Sequence, residues 1–310
     1  MFEKILVLTD FSAYARKSLE CIRDFPDVKD IVILNVVAKD PQARAWDATA
    51  EINKAEKKLS KEKKLLDSSG INVTVRAVAA REGELDTEIP AAIQRVASEE
   101  RVQLVVMGAR GRSLVQNILL GSLTRNLLRF GDKHLLIMRY KMPEDTVAKE
   151  KSLKIAKPPA EPEMLERYGT NIFSKVLIPT DFSQPADAVI SSIGGLRGIN
   201  EIVLMHVISK GESEDEIEAA VKDATEKLKD ISQSLSQDGV KVTPRVAVGS
   251  PTEAIRSVAE EENVSLIAIS SVGRDALRSG RIGSITYDVA KTANRPVLVF
   301  RLRIVYNLEF

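Results

Sequence analysis

The amino-acid sequence predicts an α/β fold built as two tandem doubly wound (Rossmann-like) domains, each with a five-stranded parallel sheet flanked by helices. Two observations predict it. The chain repeats itself once, and within each half short β-branched runs alternate with longer segments of helical periodicity. Continuous apolar runs are typical of parallel strands that are buried on both faces. Alternation of such strands with helices indicates a parallel sheet.

The repeat is visible as six pairs of similar segments that follow the same order in both halves. Such self-similarity indicates a tandem duplication. The pairs are KILVLTDFSAYA (4–15) with KVLIPTDFSQPA (175–186), IVILNVV (31–37) with IVLMHVI (202–208), VTVRAVA (73–79) with VTPRVAV (242–248), QLVVMGARG (103–111) with SLIAISSVG (265–273), GSLT (121–124) with GSIT (283–286), and HLLIMRY (134–140) with PVLVFRL (296–302).

The segments between the predicted strands have the spacing of amphipathic helices. In the segment 47–69, apolar residues recur on one helical face, and Glu and Lys occupy the other. The segment that follows IVLMHVI in the second half has the same pattern. Right-handed crossovers place such helices on both faces of a parallel sheet.

The region between the two halves predicts an exposed linker, because it is rich in Lys, Glu and Pro and poor in large apolar residues. We therefore predict domains at 1–141 and 172–302, with a linker at 142–171 that includes a short helix around Pro162–Tyr168. The tail at 303–310 has no counterpart in the first half, and it is expected to cover a sheet edge.

Composition excludes several classes of function. The 310 residues carry a formal net charge of +1, which gives no general attraction to nucleic acid or to an anionic membrane. No apolar stretch is long enough to span a bilayer, and the N-terminus lacks the pattern of a signal peptide. The single cysteine, Cys21, is expected to be reduced and packed in a helix. We therefore expect a cytoplasmic protein.

Two segments with unusual residues follow predicted strands. Thr9-Asp10-Phe11-Ser12 follows the first strand, and GARG at 108–111 follows the fourth. Ligands bind beyond the carboxyl ends of parallel strands, where the strand order reverses. If the first and fourth strands are neighbours, both segments meet at that point and form a ligand site.

The residue types suit a nucleotide. Gly108 and Gly111 permit a close backbone approach, and Ser122 adds a hydroxyl donor at a predicted helix start, where free N–H groups attract anions. Arg112 could neutralise a phosphate, and Asp10 could accept hydrogen bonds from an adenine amine or a ribose hydroxyl.

Purely structural roles compete with this interpretation. Asp10 and Ser12 could cap the first helix, and the two glycines after the fourth strand could only turn the chain. Gly121 and Ser122 could begin a helix, which is compatible with binding. Neither a Walker A loop nor a dinucleotide fingerprint is present in the sequence.

The spacing Gly108-x2-Gly111-x9-Gly121-Ser122 resembles the G-2x-G-9x-G-[S/T] nucleotide motif of universal stress proteins. The opening ILVLTDFS and the two last strands also resemble that family. The resemblance implies a sheet of order 3-2-1-4-5 in each domain and a site for ATP or AMP, with Mg²⁺ accompanying ATP. It also implies that 134–140 and 296–302 pair edge to edge within the chain. Whether two chains pair further as a homodimer stays open.

The resemblance assigns nucleotide-binding roles to matching positions in both halves. Ser270 departs from the motif, because it stands where the first glycine belongs, and its side chain either crowds the nucleotide or adds a contact. In the first half the positions are Thr9, Asp10, Val36, Met107 and Gly108 for base and sugar, and Gly111, Gly121, Ser122 and Leu123 for phosphates; in the second half they are Thr180, Asp181, Val207, Ile269, Gly273, Gly283, Ser284 and Ile285.

The resemblance implies an adenine-nucleotide-binding regulatory protein of the stress response. A slow ATPase or phosphotransferase is one alternative, with Asp10 as the candidate base. An interaction module with a vestigial pocket is the other, and Ser270 favours it. His134 and His206 are expected to be packed and hydrogen-bonded, and no zinc cluster is apparent in the sequence.

Overall fold

A computed structural model describes residues 2–23, 25–39, 46–67, 70–80, 85–109, 120–141, 165–209, 213–236, 239–273 and 282–301. Strand and helix alternate throughout. The first lobe contains β1 (Lys4–Leu8), α1 (Ala13–Ile22), β2 (Asp30–Val37), α2 (Ala48–Lys63), a short 3-10 turn (Lys64–Leu66), β3 (Asn72–Ala79), α3 (Leu85–Glu99), β4 (Leu104–Gly108), α4 (Ser122–Phe130) and β5 (His134–Met138). The second lobe contains β6 (Lys175–Pro179), α5 (Gln184–Gly194), β7 (Glu201–Ile208), α6 (Glu214–Ser236), β8 (Lys241–Val248), α7 (Pro251–Glu261), β9 (Leu266–Ser270), α8 (Ser284–Thr292) and β10 (Val297–Phe300).

The strands form one ten-stranded sheet of order β3-β2-β1-β4-β5-β10-β9-β6-β7-β8. Each lobe therefore has the predicted order 3-2-1-4-5, and its own strands are parallel. The lobes join where β5 and β10 pair antiparallel, with Leu298 opposite Leu136. The predicted pairing of the last strands is confirmed. The reversal of strand order lies between β1 and β4 in the first lobe and between β6 and β9 in the second.

The sheet is buried on both faces, as the continuous apolar strands predict. Ile5, Leu6 and Val7 of β1 are all fully buried. Ile5 and Val7 belong to the core on one face, and Leu6 belongs to the core on the other. Each core contains residues of both lobes, so the lobes share their hydrophobic interior. Cys21 is packed in α1 as predicted, and burial raises the pKa of its thiol to about 11.

The described end of the predicted linker is only partly exposed, since Leu165 and Tyr168 are buried while Glu166 and Arg167 between them are exposed. Leu165 and Tyr168 are 1% and 7% exposed, and the backbones of Lys141 and Glu166 exchange two hydrogen bonds of 2.8 and 3.1 Å. Arg295 stacks over the Tyr168 ring at 4.2 Å. The prediction of a short helix is therefore wrong for 165–168, because this stretch pairs as extended chain. The rest of the linker and the tail at 303–310 lie outside the described residues, and the domain boundaries stay predictions.

Two arginines join the lobes reciprocally. Arg139, just after β5, donates to the carbonyl of Ala290 in the last turn of α8 at 2.6 Å. Arg301, just after β10, donates to the carbonyls of Leu127 (3.1 Å) and Leu128 in the last turn of α4. Carbonyls in the last turn of a helix carry the negative end of the helix dipole and attract cations. Each lobe therefore caps the final helix of the other.

His134 lies at the same junction of the lobes. Its ring packs edge-on against Phe2 and Phe300 at 5.5 and 5.2 Å, and its Nδ1 accepts a hydrogen bond from the Arg301 backbone N–H at 3.1 Å. Burial, with a smaller contribution from the Arg301 charge, lowers the pKa of His134 from 6.5 to about 4. The expectation of a packed, hydrogen-bonded histidine is confirmed.

Acid is expected to destabilise the protein through His134. Above pH 6.5 the ring is neutral in both states, and the full stability is present. As the pH falls from 6.5 towards 4, the unfolded chain binds a proton that the folded chain excludes. This linkage is worth at most about 3 kcal/mol. We expect the free energy of unfolding, measured in urea between pH 7 and pH 4, to fall more steeply for the parent than for His134→Gln. Parallel pH profiles would contradict the assignment, and His206→Asn, which changes the other histidine, is the control.

Candidate functional site

The loops that follow β1 and β6 have the same local geometry. Phe11 donates its backbone N–H to Thr9 Oγ1 at 3.0 Å, and Ser12 donates its N–H to Asp10 Oδ1 at 3.0 Å. The second lobe repeats both bonds with Thr180 and Asp181. Ser12 also caps α1 by accepting from Ala15 at 3.2 Å, so the predicted capping role exists. These turns fix both aspartates at the carboxyl edge of the sheet.

A side chain from the neighbouring strand ties each loop to the sheet. In the first lobe, Asn35 of β2 donates through Nδ2 to the Thr9 carbonyl at 2.7 Å. In the second lobe, His206 of β7 occupies the matching position, and its Nδ1 lies 2.8 Å from the Thr180 carbonyl. The predicted hydrogen bonding of His206 is confirmed. The loop ends of the central strands are therefore held in equivalent ways.

The second lobe has a cavity of about 390 Å³ at this edge. Its volume is within the range of small-molecule sites. Ser270, His206 and Thr286 also line it. All eight second-lobe positions predicted to bind nucleotide line this cavity: Thr180, Asp181, Val207, Ile269, Gly273, Gly283, Ser284 and Ile285.

The N-terminus of α8 forms one wall of the cavity. Gly283 is the N-cap and has no side chain with which to cap the helix, and no side chain among the described residues is seen to cap its first N–H groups. These groups lack intrahelical acceptors and carry the positive end of the helix dipole. A Cβ added to Gly283 would lie 3.7 Å from the Ser271 carbonyl and 3.9 Å from the Gly273 nitrogen. The two glycine turns are therefore adjacent, and together they suit an anion.

Gly273 brings the glycine turn against the aspartate loop. A Cβ at this position would lie 2.9 Å from Asp181 Oδ2, closer than a side chain tolerates. Any other residue would displace the carboxylate. The glycine turn and the aspartate loop therefore meet in the second lobe, and glycine at 273 leaves room for the Asp181 carboxylate in its present position.

Ser270 does not fill the cavity. Its hydroxyl donates to the Val272 carbonyl at 2.7 Å and accepts from the Val272 N–H at 3.3 Å. Thr286 donates its hydroxyl to the Ser270 carbonyl at 2.6 Å. The Ser270 hydroxyl is thus engaged within its own turn while the residue lines the cavity, and whether it crowds or contacts a nucleotide stays a prediction.

The described parts of the first lobe follow the same plan. The Gly121 N–H donates to the Ala109 carbonyl at 3.0 Å, as Gly283 does to Ser271 at 2.8 Å. Gly121 is the N-cap of α4, again without a side-chain cap. Gly111 and Arg112 lie outside the described residues.

The other predicted residues of the first lobe lie at the same edge but do not all line one described cavity. Asp10 and Val36 line a cavity of about 520 Å³ beside α2, together with Lys54 and Lys58. The remaining predicted positions are Thr9 just after β1, Met107 and Gly108 at the end of β4, and Gly121, Ser122 and Leu123 at the start of α4.

Glu62 is a feature of the first lobe that the sequence analysis missed. It lies on α2, is 4% exposed, and accepts a hydrogen bond from the Thr9 hydroxyl at 3.1 Å. Its Oε2 is buried without a partner among the described residues. Desolvation raises the pKa of this carboxyl, and the Asp10 charge adds to the rise. The repeat could have indicated this burial, because the matching position of α6 is the apolar residue Ile231, which packs against the core.

Two absences hold for the described part of the chain. It contains no group of three or more His, Cys, Asp or Glu side chains that could hold a metal ion. None of its helices has the length and apolar character needed to cross a membrane.

Comparisons with known proteins agree with this architecture. The sequence model described as the universal stress protein family matches residues 1–139 and 173–301. The chain belongs to the universal stress protein family. Both matched segments correspond to the lobes described above, so the chain is a tandem universal stress protein.

Individual relatives match one lobe or the whole chain. Universal stress protein MJ0577 of Methanocaldococcus jannaschii is 31% identical over 155 residues, covering 42% of this chain and 96% of the relative. Universal stress protein MJ0531 of the same organism is 27% identical over 146 residues, covering 44% and 86%. The crystal structure of a universal stress protein from Archaeoglobus fulgidus covers 96% of both chains with a TM-score of 0.66 and 21% identity. This last likeness supports the fold alone.

Proposed function

We propose that this tandem universal stress protein binds an adenine nucleotide, ATP or AMP, in each lobe and acts as a cytoplasmic regulator of the stress response. The observation that carries the proposal is the second-lobe cavity, which is lined by all eight positions that the family motif assigns to the nucleotide. A bound nucleotide would stabilise one conformation of the loops at the sheet edge and so act as a signal.

The cavity offers complementary groups for each part of the nucleotide. Val207 and Ile269 supply apolar contacts for a base, and Asp181 supplies acceptors for a ribose hydroxyl or an amine. The N–H groups at the start of α8 and the Ser284 hydroxyl supply donors for phosphate. Any Mg²⁺ would be bound through the phosphates of ATP, whose charge it would neutralise.

Thermal unfolding with and without nucleotide tests the proposal. A ligand that binds only the folded state stabilises it by about 2.7 kcal/mol at one hundred times its Kd. For domains of this size that corresponds to a rise in Tm of about 5 to 10 °C. We expect AMP or ATP at millimolar concentration to raise the Tm. The same concentration of inorganic phosphate without nucleotide is expected to leave it unchanged. No rise with either nucleotide would overturn the proposal.

Slow ATP hydrolysis is the rival function. It requires a positioned base, and Asp10 and Asp181 are the carboxylates at the two sites. Mg-ATP turnover that disappears in Asp10→Asn or Asp181→Asn would favour the enzyme, whereas equal background turnover would favour binding alone. Binding in the first lobe only would favour a vestigial second pocket. Pairing of two chains as a homodimer stays a prediction.

A further inference from the structure

The side chain that bonds to the loop carbonyl differs between the two lobes, and this difference affects which ligand each lobe can bind. His206 lies near the carboxyl end of β7, and its ring lines the second-lobe cavity beside Thr180 and Val207. Asn35 occupies the matching position in the first lobe. Each side chain hydrogen-bonds to the carbonyl of the neighbouring loop, Asn35 to Thr9 and His206 to Thr180. The imidazole ring of His206 also carries a second nitrogen, Nε2.

The hydrogen bond to Thr180 determines which ring nitrogen carries the proton. A carbonyl oxygen can only accept, so Nδ1, 2.8 Å from the Thr180 carbonyl, must be the donor. In the neutral ring, Nε2 is then unprotonated and presents a lone pair. No described residue donates a hydrogen bond to Nε2, and this atom is not among the buried unpaired atoms. Nε2 is therefore an accessible acceptor on a ring that lines the cavity.

Packing holds the ring in this orientation. His206 stacks on Phe182, with the ring centroids 4.5 Å apart and an interplanar angle of 29°. Lys227 of α6 lies 5.5 Å from the Phe182 ring. The hydrogen bond and the stack together restrict the ring, so the direction of Nε2 is fixed before any ligand arrives.

We propose that His206 is a specificity-determining residue of the second-lobe site, whose Nε2 accepts a hydrogen bond from an N–H or O–H donor of the bound nucleotide. The proposal rests on the proposed nucleotide site. The donor is either the 6-amino group of adenine or a ribose hydroxyl. Asn35 Oδ1 can also accept a hydrogen bond, but it lies one bond closer to the backbone than an imidazole Nε2. The two lobes therefore present their acceptors at different depths and select ligands differently.

Exchange of the two side chains tests the selectivity. His206→Asn keeps a side chain that can donate to the loop carbonyl, as Asn35 does in the first lobe. It replaces Nε2 with an amide oxygen that lies closer to the backbone. Calorimetry is performed on the full chain in a Gly121→Asp background, which places a carboxylate at the first-lobe anion site. We expect AMP affinity to fall about tenfold.

Analogues that lack one donor identify the ligand group. Purine riboside 5′-monophosphate lacks the 6-amino group, and 2′-deoxy-AMP and 3′-deoxy-AMP each lack a ribose hydroxyl. The analogue without the relevant donor is expected to bind the parent and His206→Asn equally. A parental AMP affinity in His206→Asn, or an equal loss with all ligands, would overturn the inference. The reciprocal Asn35→His is expected to transfer the preference to the first lobe.

Nitrogen NMR separates this inference from the proposed function. The chain has only two histidines, so the ring signals of His206 are assigned with His206→Asn. We expect AMP to shift the Nε2 signal of His206 while leaving His134 unchanged. Binding of AMP with an unchanged Nε2 signal would overturn the inference alone. Absence of AMP binding by calorimetry would overturn the proposed function and the inference together.

Discussion

Replacing Gly283 with aspartate is expected to abolish nucleotide binding in the second lobe without destabilising the fold. The position tolerates a side chain, because its φ of −64° is ordinary and its nearest Cβ neighbour is at 3.7 Å. Aspartate is a favoured N-cap and exceeds glycine by only a few tenths of a kcal/mol. Its carboxylate would occupy the free N–H groups of α8 and repel a phosphate. Two charges about 4 Å apart interact by about 4 kcal/mol near a protein surface, so affinity should fall by at least about 100-fold.

Gly283→Ser is the matched control, since serine also caps a helix but carries no charge. We expect its loss of AMP affinity to be at least tenfold smaller than that of Gly283→Asp. Both variants should unfold in urea at or above the parental midpoint. An aspartate variant that binds AMP as the parent does would show that the start of α8 does not hold the phosphate. Gly121→Asp tests in the same way whether the start of α4 holds the phosphate in the first lobe.

Loss of the two inter-lobe arginines is expected to produce the largest change in stability. Arg139→Met and Arg301→Met each remove hydrogen bonds from a charged donor to helix-terminal carbonyls of the other lobe. Such bonds contribute about 1.5 to 3 kcal/mol each, so we expect about 2 kcal/mol per variant and about 4 for the pair. Urea unfolding followed by circular dichroism measures these losses.

Arg95→Met controls for the general effect of removing an arginine. The side chain of Arg95 is 45% exposed and, among the described residues, pairs only within its own helix, with Glu99 at 3.8 Å, so its replacement should change stability by no more than about 0.5 kcal/mol. A double Arg139/Arg301 variant within 1 kcal/mol of the parent would show that the reciprocal caps do not hold the lobes together.

Much of the fold could be predicted because the duplication is explicit in the sequence. Continuous apolar strands identified the parallel sheet, and the paired last strands met as β5 and β10. The repeated arginine in HLLIMRY and PVLVFRL, Arg139 and Arg301, is visible in the sequence, but the sequence alone assigned it no role. Its role could not be predicted, because it depends on which helix of the other lobe lies beside each strand end.

The linker and the site were less predictable. Composition predicted an exposed linker, but Leu165 and Tyr168 are buried, and the Tyr168 ring lies against Lys141 of the first lobe and Arg295 of the second. The sequence left open whether Ser270 crowds or contacts a ligand, and it did not indicate that the Ser270 hydroxyl bonds within its own turn. Glu62 was missed, because a charged residue on an amphipathic helix usually faces solvent. Such features depend on tertiary contacts that local patterns do not encode.

Calorimetric titration of AMP into the nucleotide-free full chain tests the central claim most directly, since the claim is one adenine-nucleotide site per lobe at the carboxyl edge of the sheet. The account predicts two AMP molecules per chain, one in Gly283→Asp, and none when Gly121→Asp is added. Absence of binding to the parent, or a stoichiometry that neither aspartate changes, would contradict it.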